Sequence, residues 1–303
     1  MSHHNIKVND REYVVQEAYE WPLAVYLFFG GLAGALVTIG VFLYYMGLNE
    51  TVVVVAILSA IISMAIAGIV LVLFELLRPF AAYRSLVNWK HSGISWDVIL
   101  VSLVIGGGLL FVLPLLSDQI GTLGGITTFL SSVQWLLGGL AVLAGILFPI
   151  ISGGLLSSFN SVPLWHSPAL PVVFFLTSFS AGFSYLLLVS SAYFSEGMKK
   201  GFWGFIFGLS LLLILISLSY LETIKNGPVE AQLGLGILKQ SKPFLYGFVL
   251  VGLVVPAILG GWLFFGSYVS GIAFIGALSV IIGGFVLRHY ILKAGVHTYP
   301  WPY

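Results

Sequence analysis

Cysteine is absent from the 303-residue sequence, and charged residues make up only 8% of it. Without cysteine the chain has no disulfides, no thiolate zinc site and no cysteine ligands for an iron–sulfur cluster. Charged residues are about a quarter of an ordinary soluble domain. A chain this poor in charge, 59% hydrophobic and with mean hydropathy +1.07, is predicted to be a polytopic membrane protein. Its net charge of +1 gives no indication of nucleic-acid binding.

Histidine is scarce inside the apolar segments as well. Of the six histidines, only His289 lies in such a segment. A di-haem cytochrome b would need paired histidines on facing helices within the membrane. The sequence therefore predicts no haem in this chain, and no grouping of its side chains predicts a metal site.

Long apolar stretches account for most of the sequence, and about 20 such residues are enough to cross a bilayer as a helix. They predict an all-α integral membrane protein whose residues 21–293 form a domain of eight transmembrane helices. Residues 1–20 form a polar N-terminal segment, and residues 294–303 form a C-terminal tail. The predicted spans lie near residues 21–46, 52–77, 96–116, 129–151, 169–194, 202–221, 244–265 and 268–292.

Basic residues are distributed unevenly between the two membrane faces. With eight spans, both termini lie on one face, together with the loops after spans 2, 4 and 6. Of the twelve Lys and Arg residues, the other face carries only Lys199 and Lys200. The positive-inside rule predicts that the basic face, with both termini, is on the cytoplasmic side of the cell membrane. A basic rim that docks an extrinsic subunit would give the same distribution.

The segment from Phe74 to Asp97 concentrates ionisable groups beside an apolar helix. They are Glu75, Arg78, Arg84, Lys90, His91 and Asp97. In a chain with so few charges, such a concentration favours either chemistry or docking. Asp97 follows Ser95 at the start of span 3, and we interpret it as a structural helix cap.

Four segments resemble a known family, in the same order along the chain. They are WPLAVYLFFGGLAG at 21–34, ELLRP at 75–79, VPLWHSPALP at 162–171 followed by SFSAG at 178–182, and GGFVLRHYILKAG at 283–295. They resemble the NrfD-like membrane subunits of the polysulfide-reductase anchor type. The second segment is similar to the family's acidic–Leu–Gly–Arg–Pro motif, with Leu77 where glycine is usual.

The resemblance implies an eight-helix core arranged as two four-helix bundles. It also implies a haem-free site for a menaquinone-type quinone beneath a docked iron–sulfur subunit, which carries [4Fe-4S] clusters and contacts a molybdopterin catalytic subunit. The chain would then be the quinol-reactive membrane anchor of an oxidoreductase complex in anaerobic respiration, with the terminal substrate handled by a partner. Sulfur, polysulfide and other terminal substrates are not distinguished.

A quinone site needs an apolar slot, polar groups for two oxygens and a proton route. Glu75 is the leading catalytic carboxylate, and Arg78 lies one turn further on. An ion pair between them at the membrane interface is the structural alternative.

Further quinone-site candidates are predicted at the basic membrane face, where Glu75 and Arg78 lie. Gln134 and Trp135 begin span 4, where Gln134 could donate to a quinone oxygen and Trp135 could either wall the ring or anchor the helix. Trp165 and His166 precede span 5. Histidine side chains can take up a proton near neutral pH, so His166 is a second catalytic candidate, or else a solvated loop residue.

Span 1 and the loop after span 2 complete the predicted site. Glu20 and Tyr26 are candidates for lining the quinone. The docking surface for the iron–sulfur subunit is predicted to comprise Arg78, Arg84, Lys90 and His91.

Two other classes of protein remain open on the sequence. A secondary transporter would favour broken helices and a polar cluster at the midplane, whereas the span centres here carry only Ser, Thr and Gly. The other class is a structural anchor without quinone chemistry, against which the Glu75 and Arg78 element argues. The pairs Glu222/Lys225 and Arg288/His289 could each form a proton path or a helix-end anchor, and we favour the anchor.

Overall fold

The structure, a computed structural model, describes residues 5–8, 11–17, 21–74, 93–120 and 124–298. Within these ranges, eight helices are long and apolar enough to cross a membrane. The prediction of an all-α integral membrane protein with eight spans is therefore confirmed.

Two short antiparallel strands, β1 (Asn5–Val8) and β2 (Arg11–Val14), precede the helices. In chain order the helices are α1 (Trp21–Tyr45), α2 (Glu50–Phe74), α3 (Gly93–Ile120), α4 (Gly124–Ser132), α5 (Gln134–Ser157), α6 (Ala169–Val189), α7 (Glu196–Lys225), α8 (Val229–Gln240), a π-helical segment (Phe244–Val254) continuing into α9 (Val255–Phe265), and α10 (Ser270–Lys293). The short helices α4 and α8 lie in connections between spans.

The fourth span begins later than the sequence predicts. The chain turns at Val133, so that α5 starts at Gln134 and not at Phe129. The hydroxyls of Ser131 and Ser132 donate to carbonyls three residues earlier in α4. Such bonds compete with the backbone ladder, and they end the short helix before the membrane span begins.

The sixth span is longer than its apolar run. The sequence predicts residues 202–221, whereas α7 extends from 196 to 225. The hydroxyl of Ser195 accepts from the backbone N–H of Met198 and caps the helix at its polar beginning. Hydropathy underestimates this helix because its charged ends extend beyond the hydrocarbon. The fifth span is shorter than predicted, ending at Val189 and not at Phe194.

The helices contact one another mainly within two groups. The first group contains α1, α2, α3 and α5, and the second contains α6, α7, the π-helical segment with α9, and α10. Helix α1 joins the groups by packing on α6 and α10, and α5 also packs on α6. The arrangement as two four-helix bundles stays a prediction, because these contacts also join the groups.

Glycine pairs allow close helix crossings in each group. A Cβ on Gly34 of α1 would overlap the carbonyl oxygen of Gly145 in α5. A Cβ on Gly283 of α10 would overlap the Cα of Gly252 in the π-helical segment. Only hydrogen fits at these crossings, where backbone packing replaces the hydrophobic drive that lipid removes.

The two ends of the described chain pair with each other. A β-bridge joins Val15 to Val296, and the N–H of Gln16 donates to the carbonyl of Gly295 at 2.8 Å. The N–H of His297 donates to the carbonyl of Val14 at 3.0 Å. We call this pairing the termini clasp and the membrane face that carries it the termini face, with the far face opposite.

Candidate functional site

A buried carboxylate connects three helices near the termini face. Asp97 of α3 is only 7% exposed. Its Oδ2 accepts a hydrogen bond from the hydroxyl of Tyr26 in α1 at 3.0 Å, and its Oδ1 accepts one from the hydroxyl of Ser152 in α5 at 3.1 Å. We call these three residues the Asp97 cluster.

The alternating direction of the spans brings the cluster together. Tyr26 and Asp97 lie early in helices that begin at the termini face, and Ser152 lies near the end of one that finishes there. At about 1.5 Å per residue, all three lie within roughly 8 Å of their helix ends. The ring of Phe148 packs edge-on against Tyr26, with 5.9 Å between centroids, and closes the cluster toward the membrane centre.

The bonding of Asp97 is suited to proton exchange. Neither of the ion pairs formed within the described ranges involves it, and both of its donors are neutral hydroxyls. A hydroxyl can rotate to donate or to accept. The hydroxyl of Ser95, two residues before Asp97 in the sequence, is buried and has no hydrogen-bond partner among the described residues. The site therefore combines an ionisable group with hydroxyls that could contact the oxygen atoms of a ligand.

A second buried charge lies between the two helix groups. Arg288 of α10 is fully buried. Its Nη2 donates to the hydroxyl of Ser178 at 2.7 Å and to the carbonyl of Phe174 at 3.2 Å, and its Nη1 donates to the carbonyl of Gly284 at 2.9 Å. The guanidinium also lies over the rings of Phe28 and Phe174. These contacts fasten α10 to α6 and α1, so Arg288 is more than a helix-end anchor.

The residues predicted before span 5 lie in a folded connection. Trp165 is fully buried, and its indole N–H donates to the carbonyl of Ile291 at 2.8 Å. His166 is exposed, and its Nδ1 lies 2.8 Å from the carbonyl oxygen of Ser157. The structure brings neither side chain into contact with the Asp97 cluster.

The placement of Gln134 and Trp135 at the termini face is wrong. Gln134 accepts a hydrogen bond from Tyr44 at the end of α1 and donates to the carbonyl of Phe111 in α3. Both contacts are at the far face, because α5 begins there and ends at the termini face. Trp135 is 68% exposed beside Gln134, which fits an aromatic anchor at that interface.

Several predicted site residues lie outside the described residues. They are Glu20, Glu75, Arg78, Arg84, Lys90 and His91. Trp21 follows Glu20 in the sequence, and Phe74 precedes Glu75. The rings of Trp21 and Phe74 are in contact, with centroids 5.0 Å apart. This contact places the end of α2 beside the beginning of α1, the helix that carries Tyr26.

Two ion pairs lie at exposed helix ends. Glu222 and Lys225 are 3.0 Å apart at the end of α7, which agrees with an anchoring role. Glu196 and Lys200 are 3.6 Å apart at its beginning. Exposed pairs of this kind contribute little to stability.

Sequence reasoning identifies only one member of the Asp97 cluster, Tyr26. It interprets Asp97 as a cap, although a carboxylate at the edge of an apolar run is by itself a signal of function. Ser152 gives no signal, since single hydroxyls occur throughout the spans.

Comparison with known proteins gives a consistent result. A family model described as "Polysulphide reductase, NrfD" matches residues 9–300. The protein is 27% identical over 298 residues to the C subunit of polysulfide reductase of Wolinella succinogenes, and the match covers 91% of this protein and 94% of the relative. It is 26% identical over 311 residues to protein NrfD of Escherichia coli, covering 92% and 95% respectively.

Proposed function

Because the chain belongs to the polysulphide reductase NrfD family, we propose that it exchanges electrons between a membrane quinone and a docked partner subunit. Family membership confirms the resemblance seen in the sequence, and the eight apolar helices make the chain an integral membrane protein. The proposal adds the chemistry: oxidation of menaquinol, or reduction of menaquinone, at the Asp97 cluster.

The Asp97 cluster is the observation that carries this proposal. Oxidation of a quinol releases two electrons and two protons, so a proton acceptor must reach its hydroxyls. Asp97 is a buried carboxylate held by the hydroxyls of Tyr26 and Ser152. A positioned carboxylate of this kind can act as a general base. It would take one proton, while Tyr26 and Ser152 turn their hydroxyls to the quinol oxygen.

The second proton and the electrons need further components. We propose that Glu75, which follows the last residue of α2, provides the second proton acceptor. The electrons would pass to an iron–sulfur subunit at the termini face. That subunit would dock on the surface formed by Arg78, Arg84, Lys90 and His91. A molybdopterin subunit would complete the complex, with this protein in the cell membrane and its termini face cytoplasmic. One relative is named as a component of polysulfide reductase, which supports an assembly of several subunits.

Replacement of Asp97 by asparagine tests the proposal. Asp97→Asn keeps the shape of the side chain but removes the base, so quinol-linked turnover of the purified complex should fall about a hundred-fold or more. Activity driven by a water-soluble donor that reduces the partner directly should be unchanged, as should co-purification of the partner.

Glu222→Gln is the matched control, since it removes a carboxylate from an exposed ion pair at the same face. Equal quinol-linked turnover in Asp97→Asn and Glu222→Gln would contradict the proposal. In the same assay, Glu75→Gln should also reduce quinol-linked turnover without loss of assembly. Arg78→Ala should instead weaken retention of the iron–sulfur partner in a pull-down.

A further inference from the structure

A cavity lies inside the second helix group, away from the Asp97 cluster. Its volume is about 170 Å³, and side chains from α6, α7, α8, the π-helical segment and α10 line it. The lining includes Val173, Ser217, Tyr220, Leu238 and Phe248. The cavity sits toward the termini face, because it is reached by the beginning of α6 and the ends of α7 and α10.

The composition of the lining favours an apolar ligand. Apart from Ser217 and Tyr220, every lining side chain is apolar. The hydroxyl of Tyr220 is already used, since it donates to the carbonyl of Leu164 outside the cavity. Water needs two or more polar partners in a buried site, and an engineered apolar cavity of about 150 Å³ stays dry and binds benzene. The end of a hydrocarbon tail is the ligand that this volume and lining fit.

The cavity opens toward the lipid. Leu218 of α7 lines it and is 59% exposed. On the other side, the π-helical segment contributes Phe248 and Val249. π-Helical geometry is rare and is frequent at functional sites. A hydrocarbon tail from the bilayer can therefore enter between α7 and this segment without crossing protein.

Two lysines stand beside the same cavity at the termini face. Lys239 follows the lining residue Leu238 in α8, and Lys242 lies two residues before the lining residue Phe244. Both lysines are exposed, and neither takes part in the ion pairs found among the described residues. Basic groups between transmembrane helices commonly hold the head groups of anionic lipids.

We propose that this cavity binds one anionic phospholipid of the surrounding bilayer. One acyl tail enters the cavity between α7 and the π-helical segment, and the phosphate lies against Lys239 and Lys242. This site does not depend on the quinone chemistry proposed above.

Binding of defined lipids to delipidated full-length protein in neutral detergent tests the proposal. Dissociation constants for dioleoyl phosphatidylglycerol and dioleoyl phosphatidylcholine are measured by native mass spectrometry. The double variant Lys239→Gln/Lys242→Gln should bind phosphatidylglycerol about thirty-fold more weakly, which corresponds to about 1 kcal/mol for each lysine. Its binding of phosphatidylcholine should be unchanged.

Filling the cavity tests the position of the acyl tail. Ser217→Phe places a ring in the cavity and should weaken binding of both lipids. Ser219→Phe adds the same ring on the exposed side of the same helix, and Lys199→Gln/Lys200→Gln removes two lysines at the far face. Both controls should bind as the unchanged protein does, and thermal unfolding of each variant shows that it is folded.

Three results would overturn the proposal. One is equal binding of the two lipids by the unchanged protein. Another is an equal effect of Ser217→Phe and Ser219→Phe. The third is occupancy by menaquinone that is lost in Ser217→Phe while phosphatidylglycerol binding is kept, since the cavity would then hold an isoprenoid tail. Failure of the Asp97→Asn prediction would leave all these outcomes unaffected.

Discussion

Two buried charged side chains near the termini face, Asp97 in the first helix group and Arg288 on α10 of the second, are bonded differently. In the first group, Asp97 is held by side-chain hydroxyls of Tyr26 and Ser152. In the second, Arg288 is held by the backbone carbonyls of Gly284 and Phe174 and by one hydroxyl. Hydroxyls can reorient toward a ligand, whereas carbonyls of a helix cannot. The first group is therefore suited to proton exchange and the second to holding helices together.

Helix α1 takes part in both arrangements. It presents Tyr26 to Asp97 and the ring of Phe28 to Arg288. Substitutions on the two sides of this helix should therefore separate turnover from stability.

The largest effect on stability is expected for Arg288→Ala. The change removes the donor to the Ser178 hydroxyl and the additional side-chain bonds to two helix carbonyls, and it creates a void where α10 packs on α6 and α1. A loss of about 3 kcal/mol is expected for a buried deletion of this kind. Thermal unfolding in detergent measures it, and Lys293→Ala at the exposed end of the same helix is the control. If Arg288→Ala instead reduced turnover per folded molecule and left stability unchanged, Arg288 would not have the structural role that distinguishes it from Asp97.

A smaller effect, on turnover and with a lesser loss of stability than for Arg288→Ala, is expected for Tyr26→Phe. Removal of one hydroxyl from the carboxylate should lower quinol-linked turnover about ten-fold, since a hydrogen bond to a charged group contributes about 1.5 kcal/mol. Tyr44→Phe removes a hydroxyl that bonds Gln134 at the far face and should leave turnover unchanged. Equal loss of turnover in Tyr26→Phe and Tyr44→Phe would contradict a specific role of the Asp97 cluster in quinol oxidation.

The smallest effect concerns the termini clasp, which joins the segment before the first group to the segment after the second. Burial lowers the pKa of His297, so the unfolded chain takes up a proton more readily than the clasp does. Stability should therefore be complete above the ordinary pKa of about 6.5 and should decrease as the pH falls below it. Thermal unfolding at several pH values measures this decrease, which His297→Gln should reduce and His166→Gln should preserve.

The architecture can be predicted from the sequence because lipid imposes a simple condition on the chain. Every backbone group in the hydrocarbon must be bonded within its own helix, so apolar length alone identifies the spans. The ends of the spans are less predictable. In α7 the charged first and last turns remain helical outside the hydrocarbon, and in α4 serine hydroxyls end the helix within an apolar run.

The candidate site is predicted less completely because it depends on contacts between distant segments. Tyr26, Asp97 and Ser152 come from three helices, and no local pattern joins them. The sequence favours a cap for Asp97 because this residue begins a helix, whereas its carboxylate faces α1 and α5. The error on Gln134 has another cause: span 4 begins at the far face, and the alternation of spans is enough to place it there.

The termini clasp also has a consequence for biosynthesis. The side chain of Gln16 bonds the carbonyl of Leu292 across 276 positions of the sequence, and Val15 pairs with Val296. Contacts so distant in sequence form late, after the intervening segments have been placed. During translation, residues 14–16 therefore lack these partners until residues 292–297 have been made, after all eight described spans. Closure of the clasp is then a late event that reports on the placement of the spans between its two halves.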